Sequence, residues 1–255
     1  MGKGTGRLLS TAMNTFSSRI RGFADLTRIS NLPTCVSNVL VGCALGAMGS
    51  NIGWQTVVGL SIAIALLYVG GMAMNDVVDI VTDRKSRPNR PIVAGLVSFN
   101  AARLFSALTL LAGLALLVTY GMYAMLFGAA LVASITAYNL LHRHTPFAVV
   151  FMGLCRSLVY LIAATAITRP IDWLMMGWFA GTILLYILTL TFIARAEDEN
   201  QLDRRKWLAL MMPIIALLPL WQVPVVDRNS VIVAVLLLMV WLGTAASRLF
   251  RDPPQ

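Results

Sequence analysis

Charge is what this chain has least of. Only 12% of its 255 residues are Asp, Glu, Lys or Arg, against 58% hydrophobic, a balance that excludes a soluble domain of this length. Cysteine is scarce as well. Cys35, Cys43 and Cys155 sit in apolar stretches without metal-type spacing, so neither a disulfide framework nor a cysteine-held metal is expected. The two histidines, His142 and His144, alternate beside Pro146 and read as interfacial residues rather than metal ligands. Residues 1–29 lack the compact apolar core and small-residue cleavage site of a signal peptide. Gly6 stands where an N-myristoylation signal needs Ser or Thr.

What the chain has instead is long apolar runs. Eight reach the roughly 20 residues that cross a bilayer core about 30 Å thick: 31–50, 54–76, 99–119, 122–141, 147–168, 172–195, 207–223 and 230–249. The seventh carries Pro213 and Pro219, which predicts a kink or tilt. The expected fold is therefore an all-α polytopic membrane protein of about eight helices. A membrane domain over 30–250 follows an interfacial segment over 1–29. In that segment Leu9, Met13, Phe16, Ile20 and Phe23 recur at helical spacing among arginines, which suits a helix lying in the interface or packed on the protein.

The net charge of +9 is not a nucleic-acid signature here, because the basic residues cluster between apolar runs. With the N-terminus cytoplasmic, an eight-span chain keeps all but Arg169 and Arg228 of its 20 lysines and arginines inside. That bias supports both the parity and the orientation, with both termini expected in the cytoplasm and the bilayer as partner. All but Asp172 and Asp227 of the 11 acids fall on the same side, so any chemistry is expected there, in a bacterial inner membrane.

The second run ends in Asn75-Asp76-Val77-Val78-Asp79-Ile80-Val81-Thr82-Asp83. On a helix Asp76, Asp79 and Asp83 share one face, and Asn75, Asp79 and Asp83 an adjacent stripe. Stacked like charges repel, and a hard divalent cation is the natural compensation. Arg84, Arg87 and Arg90 follow at once, forks suited to phosphate oxygens. A metal-held diphosphate at the mouth of an apolar cavity fits this pattern. A solvated, salt-bridged loop is the plainer reading.

A second acidic stretch, Arg195 to Lys206, leaves the sixth run on the same side. Glu197 and Gln201 are four apart, as are Glu199 and Asp203, and Arg195 is a phosphate ligand or an interfacial anchor. Tyr138 and Asn139 close the fourth run. Arg156 lies well inside the fifth and Asn38 inside the first, where each needs a ligand or an internal partner.

The first acidic stretch resembles the UbiA superfamily of membrane prenyltransferases. The aspartate-rich signature, Arg87-Pro88-Asn89-Arg90-Pro91-Ile92 and Gly95-Leu96-Val97-Ser98 stand in the family's order and spacing. The Tyr138-Asn139 and Met152-Gly153-Leu154-Cys155-Arg156 stretches look most like its EboC-like subgroup. The resemblance implies helices around a central cavity, an isoprenyl diphosphate donor and Mg2+ bridging it. Asn75, Asp76, Asp79 and Asp83 would be metal ligands, with Glu197 and Gln201 at a second site. Asp76, Asp79, Tyr138 and Glu197 would serve catalysis, and Asn38, Arg84, Arg90, Asn139, Arg156 and Arg195 would bind substrate. The acceptor is a small molecule, an aromatic alcohol or, as the EboC-like likeness suggests, a polar cyclitol-like one. Two departures stand out: Gln201 replaces an expected aspartate, and eight runs replace the family's usual nine helices. The altered second motif leaves a competing reading, a non-catalytic isoprenoid-binding or transport protein. A phospholipid-type alcohol phosphotransferase would need a Gly-Ala-Arg-containing aspartate motif that this sequence lacks.

Overall fold

The computed structural model describes residues 20–47, 50–167 and 170–198, together with isolated positions between 211 and 244, and side chains up to 193 in the last long helix. The described residues are helical or in short turns, with no strand among them. Helix α1 is described over 20–27, and a 3-10 turn, Ile29–Asn31, leads into α2 (Leu32–Ala47). Then follow α3 (Trp54–Val78), α4 (Ile80–Ser86), α5 (Phe99–Val118), α6 (Met122–Leu141), α7 (Ala148–Ile167) and α8 (Trp173–Asp198).

Six of these segments are long and apolar enough to cross a membrane, and they coincide with the first six expected runs to within a few residues. The seventh and eighth runs, 207–223 and 230–249, lie largely outside the described residues. Pro33 falls in the first turn of α2, where a missing N–H breaks no helical bond. The outward faces are greasy at helical spacing: Leu104, Leu108 and Leu111 of α5 are 60, 57 and 64% exposed, as a lipid-facing stripe requires.

The helices pack α3 on α5, α5 on α6, α6 on α7 and α7 on α8, while α2 packs on both α3 and α7. That last pair of contacts closes the bundle around a central space. Lipid tails are as apolar as leucine, so close backbone approach and hydrogen bonding hold such helices together. A methyl on Gly42 of α2 would come within 2.7 Å of Ala163 Cβ on α7, so only glycine permits that seam. Ser106 of α5 donates to the Gly70 carbonyl of α3 at 2.8 Å.

The described part of the N-terminal segment packs on the protein. Leu26 is fully buried in a cluster with Ala73, Ile92, Val97 and Ala102. Phe23 meets Phe105 edge to face at 5.5 Å. The Gly95-Leu96-Val97-Ser98 element is now explained locally: Gly95 turns the chain at φ 72°, a conformation open to glycine, and Ser98 Oγ caps α5 by accepting from Ala101 N at 3.2 Å.

Candidate active site

The acidic signature lies where α3 gives way to α4. Asp79 separates the two helices but keeps right-handed helical angles, φ −84° and ψ −1°. Its N–H donates to the Asn75 carbonyl at 2.9 Å, and its own carbonyl accepts from Asp83 N at 2.9 Å. The expected shared face therefore survives the break. Asp76, Asp79 and Asp83 are buried, only 2, 4 and 2% exposed. Three carboxylates so placed cannot all stay ionised without nearby cations.

Cations arrive from three separate segments. Arg90, on the loop after α4, places Nη1 2.7 Å from Asp76 Oδ1 and Nε 4.0 Å from Asp83 Oδ2. Arg143, just past α6, places Nε 2.8 Å from Asp79 Oδ1 and Nη2 4.0 Å from Asp83 Oδ1. Arg28 comes from the turn between α1 and α2. It approaches Asp76 Oδ1 at 3.8 Å and donates to Asn75 Oδ1 at 3.4 Å. His142 Nε2 lies 3.3 Å from Asp79 Oδ2.

The pairing is incomplete. Asp76 Oδ2, Asp79 Oδ1 and Asp83 Oδ1 are buried and receive no hydrogen bond. Arg143 Nε is close to Asp79 Oδ1 but off the line a hydrogen bond needs, so that contact is an ion pair only. Three hard oxygens without donors suit a hard divalent cation. No three acidic, histidine or cysteine groups converge on one point among the described residues. Magnesium does not require that, since it commonly takes one or two protein carboxylates and fills its sphere with water and substrate phosphate. The residues thus fit a metal completed by its substrate.

Asn75 ties the cluster to its neighbours. Its Nδ2 donates to Asn139 Oδ1 at 3.1 Å, and Asn139 Nδ2 donates to the Gly71 carbonyl at 3.3 Å. Tyr138 stacks on His142, with centroids 5.4 Å apart and planes at 22°. Arg28, Asn75, Tyr138 and Asn139 also line a cavity of about 370 Å³ enclosed by α2, α3, α6 and α7. Its deeper walls include Ile64, Leu67, Leu131, Ile135 and Val159. An apolar pocket thus opens at one end onto an acid and arginine cluster.

Among the expected site residues, Asp76, Asp79, Asp83, Asn75, Arg90, Tyr138 and Asn139 come together here. Arg156 and Asn38 line the same cavity, and Asn38 Oδ1 accepts from Tyr160 Oη at 3.0 Å. Arg84 does not join them. It is exposed and makes no ion pair with the cluster, because α4 turns it away from the face that carries Asp83. The structure does not bring it to the carboxylates; Arg87, exposed too, is likewise not brought in. The side chains of Arg195 and Glu197, and Gln201 as a whole, lie outside the described residues.

Sequence reasoning missed Arg28 and Arg143 as site residues and placed His142 at the interface. The signal for Arg143 and His142 was their position one turn past Tyr138-Asn139, on the same helix end. Arg28 carries no such sign. Its distinguishing feature is structural: φ 46° and ψ 51°, a left-handed backbone that non-glycine residues adopt at a cost and often at functional sites.

Fold and site together define an all-helical membrane protein with a charged, oxygen-rich pocket mouth above an apolar chamber. The chain belongs to the UbiA prenyltransferase family, which it matches over residues 35–255. It is 30% identical over 130 residues to digeranylgeranylglyceryl phosphate synthase of Saccharolobus solfataricus, covering 48% of this chain and 42% of that one. It is 26% identical over 216 residues to the Haloquadratum walsbyi protein of the same name, covering 80% and 71%. The chain thus spans less than half the length of the Saccharolobus relative. Among solved structures it is similar to one of digeranylgeranylglyceryl phosphate synthase in membranes, with TM-score 0.71, 18% identity and 92% and 88% coverage. It is also similar to a UbiA homolog from Archaeoglobus fulgidus bound to geranyl diphosphate and Mg2+, with TM-score 0.69, 16% identity and 88% and 86% coverage.

Proposed function

We propose that this protein is a Mg2+-dependent prenyltransferase that moves an isoprenyl group from an isoprenyl diphosphate to a small acceptor at the cytoplasmic face. The observation that carries this reading is the buried trio Asp76, Asp79 and Asp83, with three oxygens lacking donors, ringed by arginines at the mouth of an apolar cavity. The prenyl-transferring relatives and the Archaeoglobus homolog bound to Mg2+ and geranyl diphosphate support donor and metal.

Asp76, Asp79 and Asp83, with Asn75, would hold the metal, which supplies charge neutralisation for a departing diphosphate. Arg28, Arg90 and Arg143 now spend their charge on the carboxylates, and each has N–H groups to turn toward phosphate oxygens. The carbon–oxygen bond of the donor breaks and diphosphate leaves with the electron pair. The acceptor then bonds to the allylic carbon and loses a proton. Ile64, Leu67, Leu131 and Ile135 hold the hydrocarbon and keep water from the cation-like carbon. Tyr138, stacked on His142 at the mouth, would offer the free face of its ring to that carbon in this reading. Glu197 and Gln201 belong to a second metal position, and Arg195 to phosphate binding, in this reading. An eight-span topology with both termini cytoplasmic, in a bacterial inner membrane, completes it, with 1–29 as an interfacial segment and 30–250 as the catalytic domain.

Gln201, in place of an acid, favours one rival: an isoprenoid-binding protein without catalysis. Diphosphate release separates the two. Purified protein, geranyl to geranylgeranyl diphosphate and a cell extract as acceptor source should give Mg2+-dependent release that chelator and Asp76→Ala abolish. Donor binding without release from any donor would establish the rival.

A further inference from the structure

Among the groups at the charged mouth, His142 alone carries an imidazole, and the transfer chemistry leaves it without a task. It caps α6, and stacking on Tyr138 fixes the plane of its ring. Two contacts fix its tautomer. Nδ1 lies 3.1 Å from the Asn139 carbonyl; a carbonyl only accepts, so Nδ1 carries the proton. Nε2 accepts from Arg143 Nε at 3.4 Å, which a protonated ring nitrogen cannot do. The imidazole is therefore neutral, with its Nε2 lone pair turned toward the carboxylates. Metal-ligating histidines are set up in the same way, the far nitrogen donating to a carbonyl or carboxylate.

Nε2 lies 3.3 Å from Asp79 Oδ2. A lone pair facing a carboxylate oxygen is repulsive unless a cation bridges the two. Adjacent ligands of an octahedral ion, each about 2.1 Å from it, stand roughly 3 Å apart. The observed gap is close to what one shared ion imposes. Arg143 supplies the cation in this structure, with Nε 2.8 Å from Asp79 Oδ1 and in reach of Nε2. Asp79 Oδ1 is nevertheless buried without a hydrogen bond. Arg143 keeps 32% of its side chain exposed and can withdraw. His142 and Asp79, at 19 and 5%, stay where they are.

We propose that His142 Nε2 and Asp79 are adjacent ligands of one metal position, and that this nitrogen suits the position to a divalent transition ion, Mn2+ or Co2+, alongside Mg2+. This rests on the metal-dependent reading above and adds a ligand that the aspartate signature does not contain. Imidazole favours first-row transition ions, whereas Mg2+ keeps to oxygen. Arg143 moves aside as the ion enters. Water and donor phosphate complete the coordination sphere, so two protein ligands suffice.

The test uses tag-free protein in detergent, loaded with Mn2+ without donor and followed by pulsed electron paramagnetic resonance. Wild type should show a nitrogen coupling that changes when the protein is grown on histidine labelled with heavy nitrogen. His142→Gln should lose that coupling, and His144→Gln, at an exposed position, should keep it. The wild-type and His144→Gln spectra decide the matter even if His142→Gln does not fold. Calorimetry should give His142→Gln at least tenfold weaker Mn2+ binding, with Mg2+ affinity within threefold of wild type. Mn2+ bound without a histidine coupling, and released by Asp79→Ala, leaves the carboxylate site intact and overturns the inference. A coupling that persists in His142→Gln, or equal losses of Mn2+ and Mg2+ affinity in that variant, overturns it too. No binding of either ion to wild type, with or without geranyl diphosphate, defeats the metal-dependent reading and this inference with it.

Discussion

Arg90 Nη1 sits 2.7 Å from Asp76 Oδ1, joining the loop after α4 to the end of α3 across 14 residues of chain. Asp76 is nearly inaccessible while Arg90 keeps a fifth of its side chain in contact with solvent. The arginine can thus leave for a phosphate, and the aspartate cannot leave at all. Removing either partner strands the other, but removing both should not. In thermal unfolding without metal or donor, Asp76→Asn and Arg90→Gln should be coupled by about 1–3 kcal/mol, within the range for buried contacting pairs. Additive effects would mean that the pair does not hold the loop.

Arg28 tests whether backbone strain serves the site. Its left-handed φ of 46° costs roughly 1 kcal/mol for a residue with a Cβ. Arg28→Gly should therefore unfold at a higher temperature than Arg28→Ala by an amount matching about 1 kcal/mol. Both should weaken geranyl diphosphate binding to a similar degree, since both lack the guanidinium. Equal stability of the two variants would show that the turn relaxes and stores nothing.

The spans and the acidic face were legible because both follow from local rules. Apolar length predicts a span, and a period near 3.6 predicts which of Asp76, Asp79 and Asp83 coincide; both hold even though α3 breaks at Asp79. The arginines were less legible. Arg84, Arg87 and Arg90 look equivalent in sequence, yet only Arg90 meets the carboxylates, because the turn at Pro91 to Gly95 folds its segment back while α4 carries Arg84 outward. Arg28 and Arg143 are 48 residues before and 67 after Asp76 by number, and only tertiary packing of the α1 turn and the α6 end brings them in. Charge demand predicted that partners exist; it did not identify them.

That distinction is measurable. Arg84→Gln should change stability by no more than about 0.5 kcal/mol, as for exposed positions generally, and leave the rate within twofold. Arg143→Gln removes the ion pair from Asp79 and should lower kcat/KM on the order of 100-fold, comparable to loss of one preorganised charge-stabilising group. Equal losses at both positions would restore Arg84 to the site.

The loop that carries Arg90 is set by its own exit. Ser98→Ala should cost about 1 kcal/mol by removing the cap on α5, and Gly95→Ala a similar amount through its positive φ. Neither residue belongs to the charged cluster. A donor affinity that falls in step with loop stability would show that the turn positions Arg90; an unchanged affinity would show that Arg90 finds Asp76 regardless of how the loop ends.

The depth of the cavity sets a last prediction. Leu131 lies on its apolar wall and is almost fully buried, about ten residues before the end of α6 and hence roughly 15 Å from the charged mouth. A donor with its diphosphate at the mouth reaches Leu131 only with the later isoprene units of its chain. Leu131→Trp fills that region. Each excluded five-carbon unit forfeits on the order of 3–4 kcal/mol of burial at about 0.8 kcal/mol per carbon, an upper bound for a chain already partly collapsed in detergent. Kinetics across the donor series should therefore show geranylgeranyl diphosphate losing at least tenfold in kcat/KM, with dimethylallyl diphosphate unchanged within twofold. A uniform loss across all lengths would place the chain elsewhere and leave Leu131 as packing alone.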